Sequence, residues 1–564
     1  MIMRKGRALP SDSLERSNNR FIYRIGRSID VWIARTGHIQ KIRSLDSRPM
    51  AMADGHDDPL RFHSVASLLV APTGGAVFGY HLSVISGALM QLSTTFNLSC
   101  KQQELVVGAL VMGALLCALV CIPALDCMGR RASVVASACI SATASMGLAL
   151  APTFSLLVAA RALAGFAVAL LSVTTCLYVA EIATAKQRGA LVAAFEIGVT
   201  AGVIMAYAGG YFLAERMSGW RVMFALASVP ALLQAIMVML LPDSPRTLLL
   251  RGQEILAEEA LGKLHGWRDV AQDLRAMRAS LNIEKQYSFR DLLGTKNNMR
   301  YRLAIGCGLT AFQQLSGQPT LLYYAGPVFR AVGFAGPTAS ALAALGLGSV
   351  KFSCAVLATV LVDCAGRRCF LLVGTLGMAV SVAVVSVATA FGKLESGAGV
   401  GVCTYEGSLS NISWSGKLHE GGGKDEFSIS ASWLALLGIL CFEAFYSLGF
   451  GTMTWVVLSE IFPIGLKGRA MALASTLNWG TNLVLSLSFL DIVETIGLHM
   501  ICAIYSTMGL FAAAFVYFSV PETKGRSLEE ISNDQHMRCN CPCLNSRTNG
   551  KISVRYQPLL HDES

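Results

Sequence analysis

One imidazole stands alone in a long apolar stretch. His81 lies inside GGAVFGYHLSVISGAL (residues 74–89), and no Asp, Glu, Lys or Arg occurs between Arg61 and Lys101. A histidine so placed can pack as a satisfied core residue, ligate a metal, carry a proton or form one wall of a binding site. A second set of chemistry-bearing residues comes in pairs of acid and guanidinium: DCMGRR (126–131) and EIATAKQRG (181–189) in one half of the chain, DCAGRR (363–368) and SEIFPIGLKGR (459–469) in the other. Side chains of these types form ion-pair clusters. No His, Cys, Asp and Glu set at metal-ligand spacing stands out, so metal and cofactor are both expected to be absent. The chain shows no nucleophile–base set and no Gly-x4-Gly-Lys-Ser/Thr, which argues against an enzyme and excludes an ATP-driven pump.

The elements that must position these residues follow from composition. The chain has 564 residues, 53% hydrophobic and 15% charged, against about a quarter charged in soluble domains. The apolar residues gather into twelve runs near 65–90, 105–125, 133–152, 155–180, 190–212, 220–241, 302–326, 338–362, 368–391, 433–459, 470–492 and 499–519. Each is about the 20 residues needed to cross roughly 30 Å of hydrocarbon. The expected fold is therefore an all-α membrane protein of twelve transmembrane helices, in contact with the lipid bilayer and not with nucleic acid.

Orientation comes from the loops. Lys and Arg concentrate in the connections after spans 2, 4, 6, 8 and 10, which places those loops and both termini in the cytoplasm. The sequons at Asn97 (NLS) and Asn411 (NIS) then fall outside, as glycosylation requires, and a disulfide between Cys100 and Cys403 is open on that side. Residues 1–50 hold eleven Lys and Arg against four acids. That pattern fits a cytoplasmic tail; a transit peptide or a start at Met50 or Met52 are the alternatives. Cys539, Cys541 and Cys543 in CNCPC suggest palmitoylation rather than zinc, and YQPL (556–559) has the form of a sorting signal.

The two halves repeat one unit. Glu181 to Pro242 and Glu460 to Pro521 are both 61 residues apart, whereas Asp126 to Glu181 is 55 and Asp363 to Glu460 is 97. The second half therefore carries about 42 extra residues between spans 9 and 10. The expected organisation is a cytoplasmic N-terminal tail (1–62), a six-helix bundle (63–241), a cytoplasmic linker with short helices (242–301), a second six-helix bundle (302–520, with a long extracellular loop at 392–432) and a cytoplasmic C-terminal tail (521–564). Parallel six-helix repeats are the plan of the major facilitator fold. On that plan the acid–guanidinium sets are expected to hold a cytoplasmic gate between the halves: Asp126, Arg130, Arg131, Glu181 and Arg188 in the first, Asp363, Arg367, Arg368, Glu460, Lys467 and Arg469 in the second.

Over residues 65–530 the chain resembles the sugar porters, specifically the facilitative glucose transporters. The resemblance is carried by FGY…VISGAL, EIATAKQRGAL, PDSPR, FQQLSGQPTLLYYA, SEIFPIGLKGRAMALASTLNWGTNL and VPETKGRSLEEI, in that order. The long loop between spans 9 and 10 resembles the third class of these transporters, and the wording is most similar to the members numbered twelve and ten. The resemblance implies a mid-membrane hexose site, D-glucose first, built from Gln313, Gln314, Gln318, Tyr323, Trp455, Asn478, Trp479, Asn482 and Glu196. Amides suit hydroxyls because they both donate and accept, and indoles cover the C–H face of a sugar ring. The chain departs from the pattern at Pro319 and Thr320 in span 7, Glu196 in span 5, Lys351 in span 8, and Ser447 in span 10, where Glu443 lies one turn earlier. The prolines of the family's Gly-Pro-Gly-Pro stretch are replaced by GFGTMTW. Glu196 and Lys351 sit in opposite halves, so an ion pair across the cavity is open.

The resemblance also gives His81 a place. Proton-coupled sugar porters carry Asp there and passive ones often carry Asn, and the arginine that partners the acid corresponds to Arg161. A neutral imidazole is the form that costs least to bury beside a guanidinium, so His81 is expected to act like the Asn and face the sugar pathway. The expected function is a facilitative hexose transporter, a uniporter working by alternating access. Proton symport and a non-transporting sugar sensor are the alternatives. The protein is expected to be a monomer in the plasma membrane or an endomembrane of perinuclear or Golgi type.

Overall fold

The computed structural model describes residues 59–183, 188–265, 270–294, 298–334, 336–396, 424–463 and 465–524. The Asn411 sequon, Cys403, the tails before residue 59 and after residue 524, CNCPC and YQPL lie outside the described residues. Helices α1 (Pro59–Phe96), α2 (Cys100–Met128), α3 (Arg130–Leu150), α4 (Phe154–Ile182), α5 (Arg188–Phe212), α6 (Gly219–Leu226) and α7 (Ser228–Met239) form the first bundle. Three shorter helices follow, α8 (Pro245–Leu250), α9 (Glu254–His265) and α10 (Val270–Lys285). All three lie within residues 242–301.

The second bundle holds α11 (Met299–Leu315), α12 (Gln318–Tyr323), α13 (Ala325–Ala331), α14 (Pro337–Ala365), α15 (Arg367–Ser396), α16 (Lys424–Tyr446), α17 (Thr452–Ile461), α18 (Lys467–Ser486), α19 (Phe489–Ile496) and α20 (Leu498–Ser519). Ten helical segments among the described residues are long and apolar enough to cross a membrane. They coincide with ten of the twelve expected spans. The other two, 302–326 and 470–492, are broken helices.

The breaks have local causes. The break between α11 and α12 falls at Gly317, whose φ of +86° is open to glycine and strained for other residues. Pro319 then sits in the first turn of α12, where its missing N–H is harmless. Span 10 is interrupted by a π-turn at Ser447–Gly451 between α16 and α17. Discontinuous helices of this kind place polar groups at the middle of transporters, and π-turns often mark functional positions.

Packing within each bundle relies on small residues, since lipid gives helices no hydrophobic reason to associate. Gly75 and Gly79 of α1 face Gly198 and Gly202 of α5. A Cβ on Gly79 would lie 1.9 Å from the Val199 carbonyl oxygen, and one on Gly202 2.2 Å from that of Ala76. The same device joins α2 to α4 through Gly113 and Gly165, and α15 to the π-turn through Gly374 and Gly449. The two bundles meet along α2 with α18 and along α5 with α14.

Candidate functional site

The three interrupted spans carry most of the residues expected to bind substrate. Gln313 and Gln314 end α11, Gln318 opens α12, Trp455 stands on α17, and Asn478, Trp479 and Asn482 share one face of α18. All but Trp455 are buried; Trp455 is half-buried.

The hydrogen bonds of the three glutamines run outward from their N–H groups. Gln314 Nε2 donates to Asn478 Oδ1 at 2.5 Å, Gln313 Nε2 to the Phe450 carbonyl in the π-turn at 2.9 Å, and Gln318 Nε2 to Glu443 Oε1 at 3.3 Å. Asn482 Nδ2 donates to Tyr323 Oη at 3.1 Å, and Ser486 Oγ donates to Asn482 Oδ1 at 3.0 Å. The amide donors of Gln313, Gln314, Gln318 and Asn482 are thus engaged, while Gln313 Oε1, Gln314 Oε1 and Glu443 Oε2 are buried acceptors with no partner among the described residues. A buried acceptor left bare costs about 1–3 kcal/mol. The arrangement suits a ligand that arrives with several O–H donors. Aromatic rings close it from the other half: Phe78 of α1 meets Trp479 edge-on at 6.1 Å and lies 6.4 Å from Phe195 of α5.

Lys351 does not pair with Glu196 across the halves. Its Nζ lies 2.5 Å from Glu443 Oε1 within its own half. An ammonium in hydrocarbon takes the nearest buried carboxylate, and α16 supplies one. Glu196 is half-buried on α5 and feels the Lys351 charge without touching it. Glu443 was absent from the expected site. The signal that could have found it was Lys351 itself, because an intramembrane cation needs a partner.

His81 is fully buried, and its Nε2 lies 3.0 Å from Ser141 Oγ and 3.3 Å from Ser145 Oγ, both on α3. It therefore ties α1 to α3. Arg161 is close enough for its charge to act on the ring. The guanidinium is 1% exposed, lies 5.8 Å from the Phe224 ring centroid, and has Nε and Nη1 unpartnered among the described residues.

At the acid–guanidinium sets, the ion pairs of Arg130 and Arg246 with Glu181 and of Arg367 with Glu460 each join groups of the same half. Arg130 Nε lies 3.3 Å and Arg246 Nε 3.9 Å from Glu181 Oε1, and Ser244 Oγ donates to Glu181 Oε2. Arg131 Nη2 donates to the Met239 carbonyl at 2.6 Å. In the second half Arg367 Nη2 lies 3.2 Å from Glu460 Oε1, and the backbone N–H groups of Arg367 and Arg368 donate to Glu522. Arg368 Nη2 donates to the Tyr517 carbonyl at 2.5 Å, and Arg469 Nη1 to that of Tyr287 at 2.7 Å. Lys467 opens α18 and is half-buried. The side chains of Asp126, Arg188 and Asp363 lie outside the described residues. The repeated motif has one geometry in both halves: its glycine precedes a helix with positive φ, +84° at Gly129 and +91° at Gly366.

Ties between the halves stand at the opposite end of the bundle. Glu104 Oε1 of α2 accepts the Leu490 and Asp491 N–H groups at 2.7 and 3.1 Å, at the N-terminus of α19. Gly326 N donates to Ser86 Oγ at 3.0 Å, and Tyr207 Oη to the Leu322 carbonyl at 2.9 Å. A cavity of about 1270 Å³ lies beside them, lined by Ser86, Met90, Tyr207, Gly210, Ser340 and Ala344 among others. Asn97 is exposed at its rim. Cys100 there is disulfide-bonded.

A family model described as sugar (and other) transporter matches residues 67–534. The chain is 37% identical over 519 residues to human solute carrier family 2, facilitated glucose transporter member 12, covering 83% of this chain and 84% of that protein. It is 37% identical over 537 residues to member 10 of the same family from Xenopus laevis, covering 86% and 94%. Among solved structures it is similar to the proton:xylose symporter XylE bound to 6-bromo-6-deoxy-D-glucose, with a TM-score of 0.67 at 29% identity over 83% of this chain and 98% of that one. A partially occluded inward-open form of XylE from E. coli gives a TM-score of 0.66 at 27% identity, over 82% and 99%. The major facilitator fold of two six-helix bundles is therefore the fold of this chain.

Proposed function

The chain belongs to the sugar transporter family, and from that membership we propose that it carries hexoses, D-glucose first, down their gradient by alternating access. The observation that carries the proposal is the set of buried oxygens Gln313 Oε1, Gln314 Oε1 and Glu443 Oε2, which have no hydrogen-bond partner among the described residues, in the half that also holds Trp455 and Trp479. A hexose brings O–H donors to those oxygens and a C–H face to the indoles. Substrate enters between the halves when one end parts and leaves when the other does. The acid–guanidinium sets stiffen each half at the cytoplasmic end, and the Glu104, Ser86 and Tyr207 bonds hold the outer end shut. The protein works as a monomeric multi-pass membrane protein with both termini in the cytoplasm.

Radiolabelled hexose flux into proteoliposomes tests this. Saturable, gradient-driven entry supports it, and no entry of any hexose leaves the sensor reading. Proton symport is the second reading, favoured by Glu196, a half-buried acid whose cationic neighbour Lys351 is already paired with Glu443. Proton influx accompanying hexose entry selects it.

A further inference from the structure

Lys351, Glu443 and Gln318 converge on one oxygen. Glu443 is fully buried and Lys351 is 6% exposed. Glu443 Oε1 takes both Lys351 Nζ at 2.5 Å and Gln318 Nε2 at 3.3 Å. The ammonium also lies 4.9 Å from the ring centroid of Tyr446, one turn along α16 from Glu443. The carboxylate is therefore fixed from α12 and α14. Its second oxygen, Oε2, is buried and has no hydrogen-bond partner among the described residues. A structural ion pair repays its desolvation when the remaining lone pairs are satisfied; here half of the carboxylate is left bare. Gln313 Oε1 and Gln314 Oε1 are likewise buried without a partner among the described residues, but this oxygen belongs to a carboxylate, so a missing donor is felt most there.

We propose that Glu443 is a specificity-determining residue: Oε2 accepts the O–H of one particular hydroxyl of the transported sugar, with Lys351 and Gln318 as the positioning residues that aim it. The proposal rests on the hexose-transport reading and deepens it. A site built to receive a hydroxyl donor rejects analogues that lack the donor, because its own polar group is then stranded. Fluorine in place of the hydroxyl keeps the size and cannot donate.

The test is inhibition of tracer D-glucose entry into proteoliposomes by D-glucose analogues carrying hydrogen or fluorine at each hydroxyl position in turn. At one position both analogues are expected to compete at least about tenfold less well than D-glucose. In the double variant Lys351→Met/Glu443→Leu, which removes both charges together and leaves no acceptor at position 443, the fluorine penalty at that position falls below about threefold and the others stay put. A uniform change at all positions, or a penalty that survives the double variant, overturns the proposal. Should that variant not reach the membrane, Glu443→Asp is expected to weaken the penalty at the same position alone; an unchanged profile again overturns it. Entry of hexose with no donor requirement at any position in the unmodified protein sinks this proposal and leaves the transport reading standing. No hexose entry at all sinks both.

Discussion

Glu104 Oε1 accepts the Leu490 N–H at 2.7 Å, and this bond runs from the first half of the chain to the second. The same oxygen takes the Asp491 N–H, so one carboxylate holds two free donors of the α19 N-terminus, where the helix dipole also favours negative charge. The residue is 2% exposed. Opening this end must break both bonds.

Glu104→Gln is therefore expected to favour the state open at this end. A charge-assisted hydrogen bond contributes about 1.5–3 kcal/mol, which corresponds to roughly a tenfold or larger shift in population. A cysteine substituted for Ala344, buried on the wall of the neighbouring cavity, reads it out. Its rate of maleimide labelling from outside should rise by about tenfold in the Glu104→Gln background. An unchanged rate means that the bond does not hold the halves together.

The bare acceptors predict a binding phenotype. Gln313→Leu or Gln314→Leu removes an oxygen that a ligand hydroxyl would reach, and each is expected to raise the KM for hexose about tenfold to a hundredfold. Gln314→Leu also frees Asn478 Oδ1 from its donor, so it should lower thermal stability more than its surroundings alone suggest. Flux measured across a concentration series separates the two effects. A fall in maximal rate at constant KM contradicts a role in binding.

Glycine spacing predicts opposite outcomes for one substitution at two sites. A Cβ on Gly79 would sit 1.9 Å from the Val199 carbonyl oxygen, whereas one on Gly480 of α18 meets nothing within 4 Å. Gly79→Ala must push α1 and α5 apart and is expected to cost about 1–3 kcal/mol or more. Gly480→Ala gains helix propensity, about 1 kcal/mol. Melting temperatures in detergent should therefore move down for the first and up for the second. Equal shifts would show that the α1–α5 contact is softer than its geometry.

Much of the fold was legible because it follows from hydropathy and repetition. Ten spans, the duplicated D-C-x-G-R-R motif and the short helices after α7 all come from composition, charge and spacing. The breaks in spans 7 and 11 were not, because a 20-residue apolar run reads the same whether or not Gly317 turns the chain inside it. The site was half legible. The amides and indoles were in hand, but the partner of Lys351 was sought in Glu196 across the halves. A sequence gives the need of a buried cation for an acid, and only the packing of α14 against α16 shows which acid is near. The acid–guanidinium sets likewise announced ion pairs, while which acid meets which guanidinium depends on how α3 meets α4 and how α15 meets α17.

His81 carries the last prediction. The ring is bonded to Ser141 and Ser145, two neutral hydroxyls, and stands near Arg161, whose Nε and Nη1 have no partner among the described residues. Two roles fit that setting. In the first His81 only fastens α1 to α3, and any side chain that reaches the serines serves. In the second it occupies the place from which an acid would engage Arg161 and couple a proton to sugar movement. His81→Asn keeps a polar group within reach of the serines and is expected to leave passive hexose flux within about threefold of the parent, as one neutral hydrogen bond contributes about 1 kcal/mol. His81→Asp puts a carboxylate beside a buried guanidinium, a pair whose strength changes with protonation of the acid and with separation of the helices. Hexose entry through this variant is expected to speed up under an inward proton gradient and to carry protons with it, seen as acidification inside vesicles loaded with a pH-sensitive dye. Passive flux that ignores the gradient in His81→Asp, with normal rates in both variants, returns His81 to helix packing alone.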